Sequence, residues 1–82
     1  MSLTKSEKEY IKKIGMRIVQ LREEQNLKQI DLAIAINVED SALRRIETGR
    51  TNPTIKSLMR IAKGLNIELI DLFDFEVIEE KK

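Results

Sequence analysis

The residues best suited to chemistry in this chain lie between positions 37 and 49, in the stretch NVEDSALRRIETG. Two adjacent arginines, Arg44 and Arg45, stand there among three acidic side chains. A guanidinium carries several N–H donors in one plane and can bond a phosphate, a carboxylate or the two acceptors on a guanine edge. The pair therefore predicts either a nucleic-acid contact or a solvated helix face, and the neighbouring acids argue against the first.

Basic side chains are concentrated in the middle of the chain. Across all 82 residues, 15 Lys and Arg face 14 Asp and Glu, so the net charge is only +1. Residues 42–63 nevertheless carry six basic side chains against Glu47 alone, whereas residues 64–82 carry six acids against two lysines. A local basic stripe on a near-neutral protein is typical of a phosphate-binding surface. Charge alone does not exclude a solvated basic face.

Composition excludes several kinds of site. Without cysteine or histidine, the chain has no disulfide, thiolate zinc site, cysteine nucleophile or histidine base. It also lacks a glycine-rich phosphate loop and a clustered carboxylate pair, so we expect no enzyme activity, metal, cofactor or small-molecule ligand. No apolar run is long enough to span a membrane and no secretory signal is visible, which predicts a cytoplasmic protein. The length predicts one domain, residues 1–82.

Helical periodicity runs along most of the chain and predicts an all-α fold. Apolar residues at three- and four-residue steps predict a long helix over about 6–25 and another over about 55–65. Between them, two short helices are predicted over 29–36 and about 40–48, separated by a break at Asn37. With a fifth short helix over about 68–73, we expect five helices in one compact domain.

The start of the first helix has two candidate signals. Thr4 with Glu7 and Ser6 with Glu9 both have the spacing of a capping box, in which the first side chain accepts from the third helical N–H. The sequence leaves the boundary uncertain by one turn.

Two short helices joined by a tight turn and supported by longer helices match a helix-turn-helix arrangement at about residues 29–48. Residues 15–73 resemble the phage-repressor family of DNA-binding domains, also called Cro/C1-type or XRE-like. The resemblance is carried by LREEQNLKQIDLAIAINVEDSALRRIETGRTNPTIKSLMRIAKGLNI. The matching positions are Gln29, the inward Ala33, the apolar pair Leu43 and Ile46, the closing Glu47 and Gly49, and the NPT sequence before the fourth helix. The resemblance implies a phage-repressor-like fold that binds double-stranded DNA.

In such proteins the second short helix, the recognition helix, lies in the major groove, where each base pair shows a distinct pattern of donors and acceptors. The resemblance assigns base contacts to Asp40, Ser41 and Arg45. Arg45 can bond both acceptors of a guanine, or lie on the surface paired with Glu39. Ser41 can bond a base or a phosphate, or cap the helix. Asp40 can accept a hydrogen bond from a cytosine amino group, or cap the helix without contacting a base.

A second group of residues is expected to contact the phosphate backbone: Lys28, Gln29, Arg44, Arg50, Asn52, Thr54 and Lys56. Most flank the starts of the second and fourth helices, where free backbone N–H groups attract anions. Gln29 could instead support a base-contacting side chain or remain an idle surface residue, and Arg44 could face solvent. Lys28 and Glu39 replace the usual N-cap residues, so the two short helices are expected to begin raggedly or one residue later.

The resemblance also assigns structural roles. Similar domains join the positions of Arg22 and Glu47 in a partly buried ion pair, which orients the recognition helix against the first helix. Asn26, Asn37 and Asn66 stand where the family usually has glycine at helix ends. Asparagine is the commonest non-glycine residue in the left-handed region, so we expect the same backbone geometry.

Because one helix in one groove gives limited specificity, the resemblance implies a homodimer on a palindromic operator with half-sites roughly 34 Å apart. The expected interface is Ile70 together with Phe75, Val77 and Ile78 of the C-terminal tail, residues 74–82. The tail could instead cover the core beneath the first helix. Ile30 and Ile34 are more apolar than the second helix requires, and the sequence offers no account of them.

The sequence therefore predicts a sequence-specific DNA-binding transcriptional regulator, a repressor or autoregulator. Restriction-modification controllers and antitoxins have similar sizes on this fold, and the sequence does not separate them. The alternative is a protein-interaction adaptor or antitoxin-like partner protein with weak or no base readout. Glu39, Asp40 and the acidic tail favour that alternative, whereas Arg45 and its basic neighbours oppose it.

Overall fold

The structure, a computed structural model, describes residues 2–76. Four α-helices follow one another: α1 Lys5–Glu24, α2 Gln29–Ala35, α3 Asp40–Glu47 and α4 Ile55–Gly64, with a 3-10 helix at Leu69–Phe73. Within the described range there is no β-strand, which confirms the all-α prediction. The count of five α-helices was wrong, because the last segment has a different helical type.

The last segment, Leu69–Phe73, is five residues long and adopts 3-10 geometry. Asp71 N donates to the Glu68 carbonyl at 3.0 Å, a three-residue hydrogen bond of the kind that short helical pieces adopt. With three residues per turn, Leu69 and Leu72 fall on the same face and turn toward the core, and Leu72 is completely buried. Ile70, one position along, is left exposed.

The core is built from the apolar stripes that the periodicity predicts. α1 buries Ile11, Ile14, Ile18 and Leu21 along one side. α2 contributes Leu32 and Ala33, α3 contributes Leu43, and α4 contributes Leu58, Ile61 and Ala62. α3 packs against both α1 and α2, and the 3-10 helix packs against α1 and α4. α3 is therefore held on its inner side by two other helices.

An N-cap side chain bonds the first turn of α1, whereas the N-cap side chains of α2 and α3 make no such bond. At α1 the Thr4–Glu7 capping box forms: Glu7 N donates to Thr4 Oγ1 at 3.0 Å and Thr4 N donates to Glu7 Oε1 at 2.8 Å. Lys28 and Glu39, at the N-caps of α2 and α3, provide no side-chain cap. Both helices nevertheless begin directly after these residues, so the prediction that they begin raggedly or one residue later was wrong. Interhelical packing supplies the stability that the caps do not.

All four α-helices end in the same hydrogen-bonded motif. The residue after each C-cap has a positive φ: 59° at Asn26, 57° at Asn37, 74° at Gly49 and 59° at Asn66. In each case the next N–H reaches back to a carbonyl five residues earlier, as from Val38 N to Ala33 O at 3.0 Å. The prediction that asparagine preserves the glycine-type geometry at 26, 37 and 66 is confirmed.

This geometry predicts different effects for two substitutions at the turn between α2 and α3. Asn37→Val should lower the free energy of unfolding by about 1–2 kcal/mol, because a β-branched side chain is strained in the left-handed region. Asn37→Gly should be tolerated, since glycine adopts that region freely. Urea unfolding of both variants measures this, and a valine variant as stable as the wild type would contradict the prediction.

Among the described residues, no helix combines the length and the apolar character needed to cross a membrane.

Candidate nucleic-acid interface

The outward face of α3 is a polar ridge. Leu43 is completely buried, Glu47 is buried and Ile46 is half-buried, so these three residues define the inner side of the helix. Ser41 and Arg45, four positions apart and thus one turn along the same face, are exposed on the opposite side. Two of the three predicted base-contacting residues therefore share one solvent-facing ridge.

Asp40 lies at the edge of this ridge. It is half-buried and is the first helical residue of α3, whereas the N-cap position belongs to Glu39. The alternative in which Asp40 is the N-cap was therefore wrong, because its backbone is already helical. Its carboxylate remains at the start of the exposed face.

The predicted phosphate-contacting residues lie around the ends of the short helices. Lys28, Arg44, Arg50, Asn52, Thr54 and Lys56 are all exposed, and Gln29 is half-buried. Thr54 has a second function: its Oγ1 accepts from Ser57 N at 3.0 Å and donates to Ser57 Oγ at 2.9 Å. The Thr54 hydroxyl is therefore the N-cap of α4, and its one proton is already used.

A buried ion pair fixes the far end of α3. Arg22 Nε and Nη2 on α1 donate to the two carboxylate oxygens of Glu47 at 2.8 and 3.2 Å, and Arg22 Nη1 donates to the Leu27 carbonyl at 2.8 Å. The side chains are only 11% and 3% exposed. Glu47 is the one buried charged residue within residues 2–76. This fork-like pairing sets both the position and the rotation of α3 relative to α1.

Gln29 extends this pair toward the surface. Its Nε2 donates to Glu47 Oε1 at 2.8 Å, and its Oε1 accepts from Arg44 Nε at 3.3 Å. A carboxylate only accepts and a guanidinium only donates, so the chemistry of the neighbours fixes the orientation of the amide. Of the roles that the sequence left open for Gln29, support of another side chain is the one these contacts describe.

Close backbone approach explains a glycine within α1. A Cβ placed on Gly15 would lie 2.5 Å from the carbonyl oxygens of both Ile46 and Glu47. Such a separation is well inside van der Waals contact, so only glycine allows the last turn of α3 to lie against α1. Gly15 and the Arg22–Glu47 pair thus hold the same end of the recognition helix.

Two polar side chains connect elements in ways that the sequence did not reveal. Arg17 Nε donates to the Asp71 carbonyl at 2.9 Å and ties α1 to the 3-10 helix. Gln25 Nε2 donates to the Leu65 carbonyl at 2.7 Å and satisfies the end of α4. Both contacts span at least 40 positions along the chain, so no local spacing could have indicated them.

The residues predicted for a dimer interface separate into three groups. Ile70 is 75% exposed. Phe75 is half-buried and packs against the core, with its ring tilted by 60° to that of Tyr10 on α1 and the centroids 6.2 Å apart, which is the core-covering arrangement. Val77 and Ile78 lie outside the described residues. Three other exposed apolar side chains, Tyr10, Ile55 and Phe73, line one surface depression beside the Asn52–Pro53 loop.

Comparison with known proteins agrees with this geometry. The sequence model of the family described as Helix-turn-helix matches residues 18–72. The ImmF control region 10 kDa protein of Bacillus phage phi105 is 38% identical over 71 residues, which cover 84% of this chain and 79% of that protein. The immunity repressor protein of the same phage is 38% identical over 56 residues. That match covers 68% of this chain but only 39% of the repressor.

A solved structure shares the arrangement of helices. The restriction-modification controller protein C.AhdI from Aeromonas hydrophila has a TM-score of 0.75 and 30% sequence identity. The alignment covers 77% of this chain and 96% of the controller protein.

Proposed function

Because the chain belongs to the Cro/C1-type helix-turn-helix family of sequence-specific DNA-binding regulators, we propose that it acts as a repressor or autoregulator that inserts α3 into the major groove of an operator. The observation that carries this proposal is the exposed ridge of Ser41 and Arg45 on a helix whose inner side is fixed by a buried ion pair. A rigidly held helix can read base edges because its side chains meet the groove in one register.

Within this proposal, Arg45 reads a base. Its guanidinium has no hydrogen bond or ion pair elsewhere within residues 2–76, so no internal contact has to be broken before it binds. Bidentate bonding to guanine O6 and N7 contributes about 1–3 kcal/mol of discrimination against other bases. Ser41, one turn earlier on the same ridge, is placed beside the neighbouring base or its phosphate. Asp40, the first helical residue at the edge of the ridge, accepts from a cytosine amino group in this proposal.

Backbone contacts supply the affinity. Lys28, Arg44, Arg50 and Lys56 are exposed cations around the starts of α2 and α4 and the outer edge of α3, while Asn52 offers a neutral donor in the loop before α4. Each phosphate neutralised releases counterions, so log K against log [salt] should fall with a slope near −0.9 per contact.

Lys56 provides a test of this surface. Lys56→Ala should make the salt slope for a random-sequence duplex shallower by about 0.9, because one phosphate contact is lost. Lys63→Ala is the matched control, since Lys63 is an exposed lysine seven positions along the same helix, near the opposite end. Fluorescence anisotropy across a range of KCl concentrations measures both slopes. Equal slopes for the two variants would remove Lys56 from the interface.

Dimerisation is part of the proposal. One recognition helix covers few base pairs, and two copies related by a two-fold axis would place their α3 helices in successive major grooves of a palindromic operator. Ile55 and Phe73 favour a second copy as partner, because they are exposed and border the Asn52–Pro53 loop next to the DNA-facing side. Of the interface residues predicted from the sequence, Ile70 is exposed and can contact a second copy, whereas Phe75 packs against Tyr10 of its own chain.

An adaptor that binds protein instead of DNA is the second candidate. It is favoured by Ile30 and Ile34, which are 48% and 72% exposed on the outer side of α2. The salt titration separates the two candidates: a random duplex bound with a steep salt dependence supports the regulator, and no measurable binding at low salt supports the adaptor.

A further inference from the structure

Two neighbouring arginines on α3 differ in how they are held. Arg44 Nε donates to Gln29 Oε1 at 3.3 Å, while its Nη1 and Nη2 groups have no partner within residues 2–76. Arg45 has no internal partner in that range at all. The side chain of Arg44 is therefore held through Nε while its Nη1 and Nη2 groups remain available, whereas no such hydrogen bond restrains Arg45.

The hydrogen bond from Arg44 to Gln29 is the outermost of a series of hydrogen bonds that begins in the core. Arg22 binds Glu47, Glu47 accepts from the amide of Gln29, and the same amide accepts from Arg44. Each step crosses from one helix to another, in the order α1, α3, α2 and back to α3. Donation to a carboxylate polarises the Gln29 amide and makes its oxygen a stronger acceptor for the guanidinium.

The amide of Gln29 is almost fully used by these contacts. Its oxygen accepts from Arg44, and one of its two N–H groups donates to Glu47. Only one N–H remains for any other partner. A direct contact between Gln29 and a phosphate would depend on that single N–H donor, and the side chain that carries it is half-buried.

The geometry points to Gln29 as a positioning residue for Arg44 rather than a phosphate contact of its own, an assignment that rests on the proposed DNA-binding function. Arg44 lies on the side of α3 that faces the start of α2. Holding the guanidinium there before binding removes much of the entropy cost of ordering a long side chain. The buried ion pair thereby preorganises an outer cation as well as the helix.

A double-mutant cycle tests the assignment on DNA. Gln29→Met keeps side-chain length and removes the hydrogen bonds, and Arg44→Met removes the guanidinium with its charge. Both are measured singly and together on a random-sequence duplex. Gln29→Met should weaken binding by about 2- to 12-fold, the loss expected from an unfixed long side chain. In the Arg44→Met background the same change should have no further effect. An equal loss in both backgrounds would mean that Gln29 acts independently of Arg44, either on DNA itself or through its hydrogen bond to Glu47, and would overturn the assignment.

The free protein offers an independent readout. In ¹⁵N relaxation spectra, the Arg44 Nε–H group should be ordered in the wild type and become as mobile as that of Arg45 in Gln29→Met, with Arg45 as the internal control. An Arg44 Nε–H that stays ordered without Gln29 would contradict the inference whatever the DNA result. Failure of the wild type to bind any duplex would instead overturn the proposed function, and the two failures are thus distinguishable.

Discussion

Replacing Arg22 with methionine is expected to lower the free energy of unfolding by about 3–5 kcal/mol, because the change leaves the Glu47 carboxylate buried without its cation. Glu47 would retain only the single hydrogen bond from Gln29. Domains of this size are stable by about 5–15 kcal/mol, so the loss is a large share of the total. Since each kcal/mol corresponds to about 4–8 °C, the midpoint of thermal unfolding should fall by at least roughly 12 °C. Circular dichroism during heating and in urea measures both quantities.

The double variant Arg22→Met with Glu47→Met is the control for this prediction. Because it removes the stranded charge and replaces the pair with apolar side chains, it should recover a substantial part of the lost stability. It should not recover the rotation of α3 that the two-point pairing specifies, so its DNA affinity should remain low. A loss below about 1 kcal/mol for Arg22→Met alone would match a surface ion pair and contradict the buried role.

Gly15→Ala is expected to have the second large effect. The new methyl group would meet the carbonyl oxygens of Ile46 and Glu47 at 2.5 Å, and backbone atoms cannot rotate away as a side chain can. The last turn of α3 would have to move off α1, and overpacking of this kind costs about 1–3 kcal/mol or more. Because α3 is the recognition helix, affinity for DNA should fall together with the free energy of unfolding.

Gly64→Ala is the matched control for Gly15→Ala. It also adds one methyl group to a helical glycine, but the nearest atoms belong to the side chains of Ile36 and Leu32. The nearer of the two, Ile36, is half-buried and can change rotamer as the backbone carbonyls beside Gly15 cannot, and alanine favours the helix by about 1 kcal/mol relative to glycine. Gly64→Ala should therefore be clearly less destabilising. A Gly15→Ala variant as stable as Gly64→Ala would contradict the close approach of α1 and α3.

Periodicity was sufficient to predict most of the helical fold. The predicted helices at 6–25 and 40–48 correspond to α1 at Lys5–Glu24 and α3 at Asp40–Glu47, because each buries a regular stripe against the others. The asparagine helix ends were also predictable, since few residues tolerate positive φ. The 3-10 helix was not recognised, because apolar residues three apart suit one turn of either helical type.

The site was predictable only in outline. Spacing on α3 identified an outward ridge, and the family resemblance pointed to Arg22 and Glu47. The link from Glu47 through Gln29 to Arg44 could not be seen, because it depends on how side chains from different helices meet in space. Gly15 carried a signal that was not used: a glycine inside a strongly periodic helix costs stability and therefore indicates a close contact.

In the proposed function, α3 reads base pairs chiefly through Arg45. The measurement that tests it is selection of bound duplexes from a random-sequence pool, performed with the wild type and with Arg45→Ala. We expect the wild type to recover a palindromic consensus, with half-sites about one helical turn apart, and the variant to lose one base preference in each half-site. Recovery of no consensus by the wild type would contradict sequence-specific DNA binding, and an unchanged consensus in the variant would remove Arg45 from base recognition.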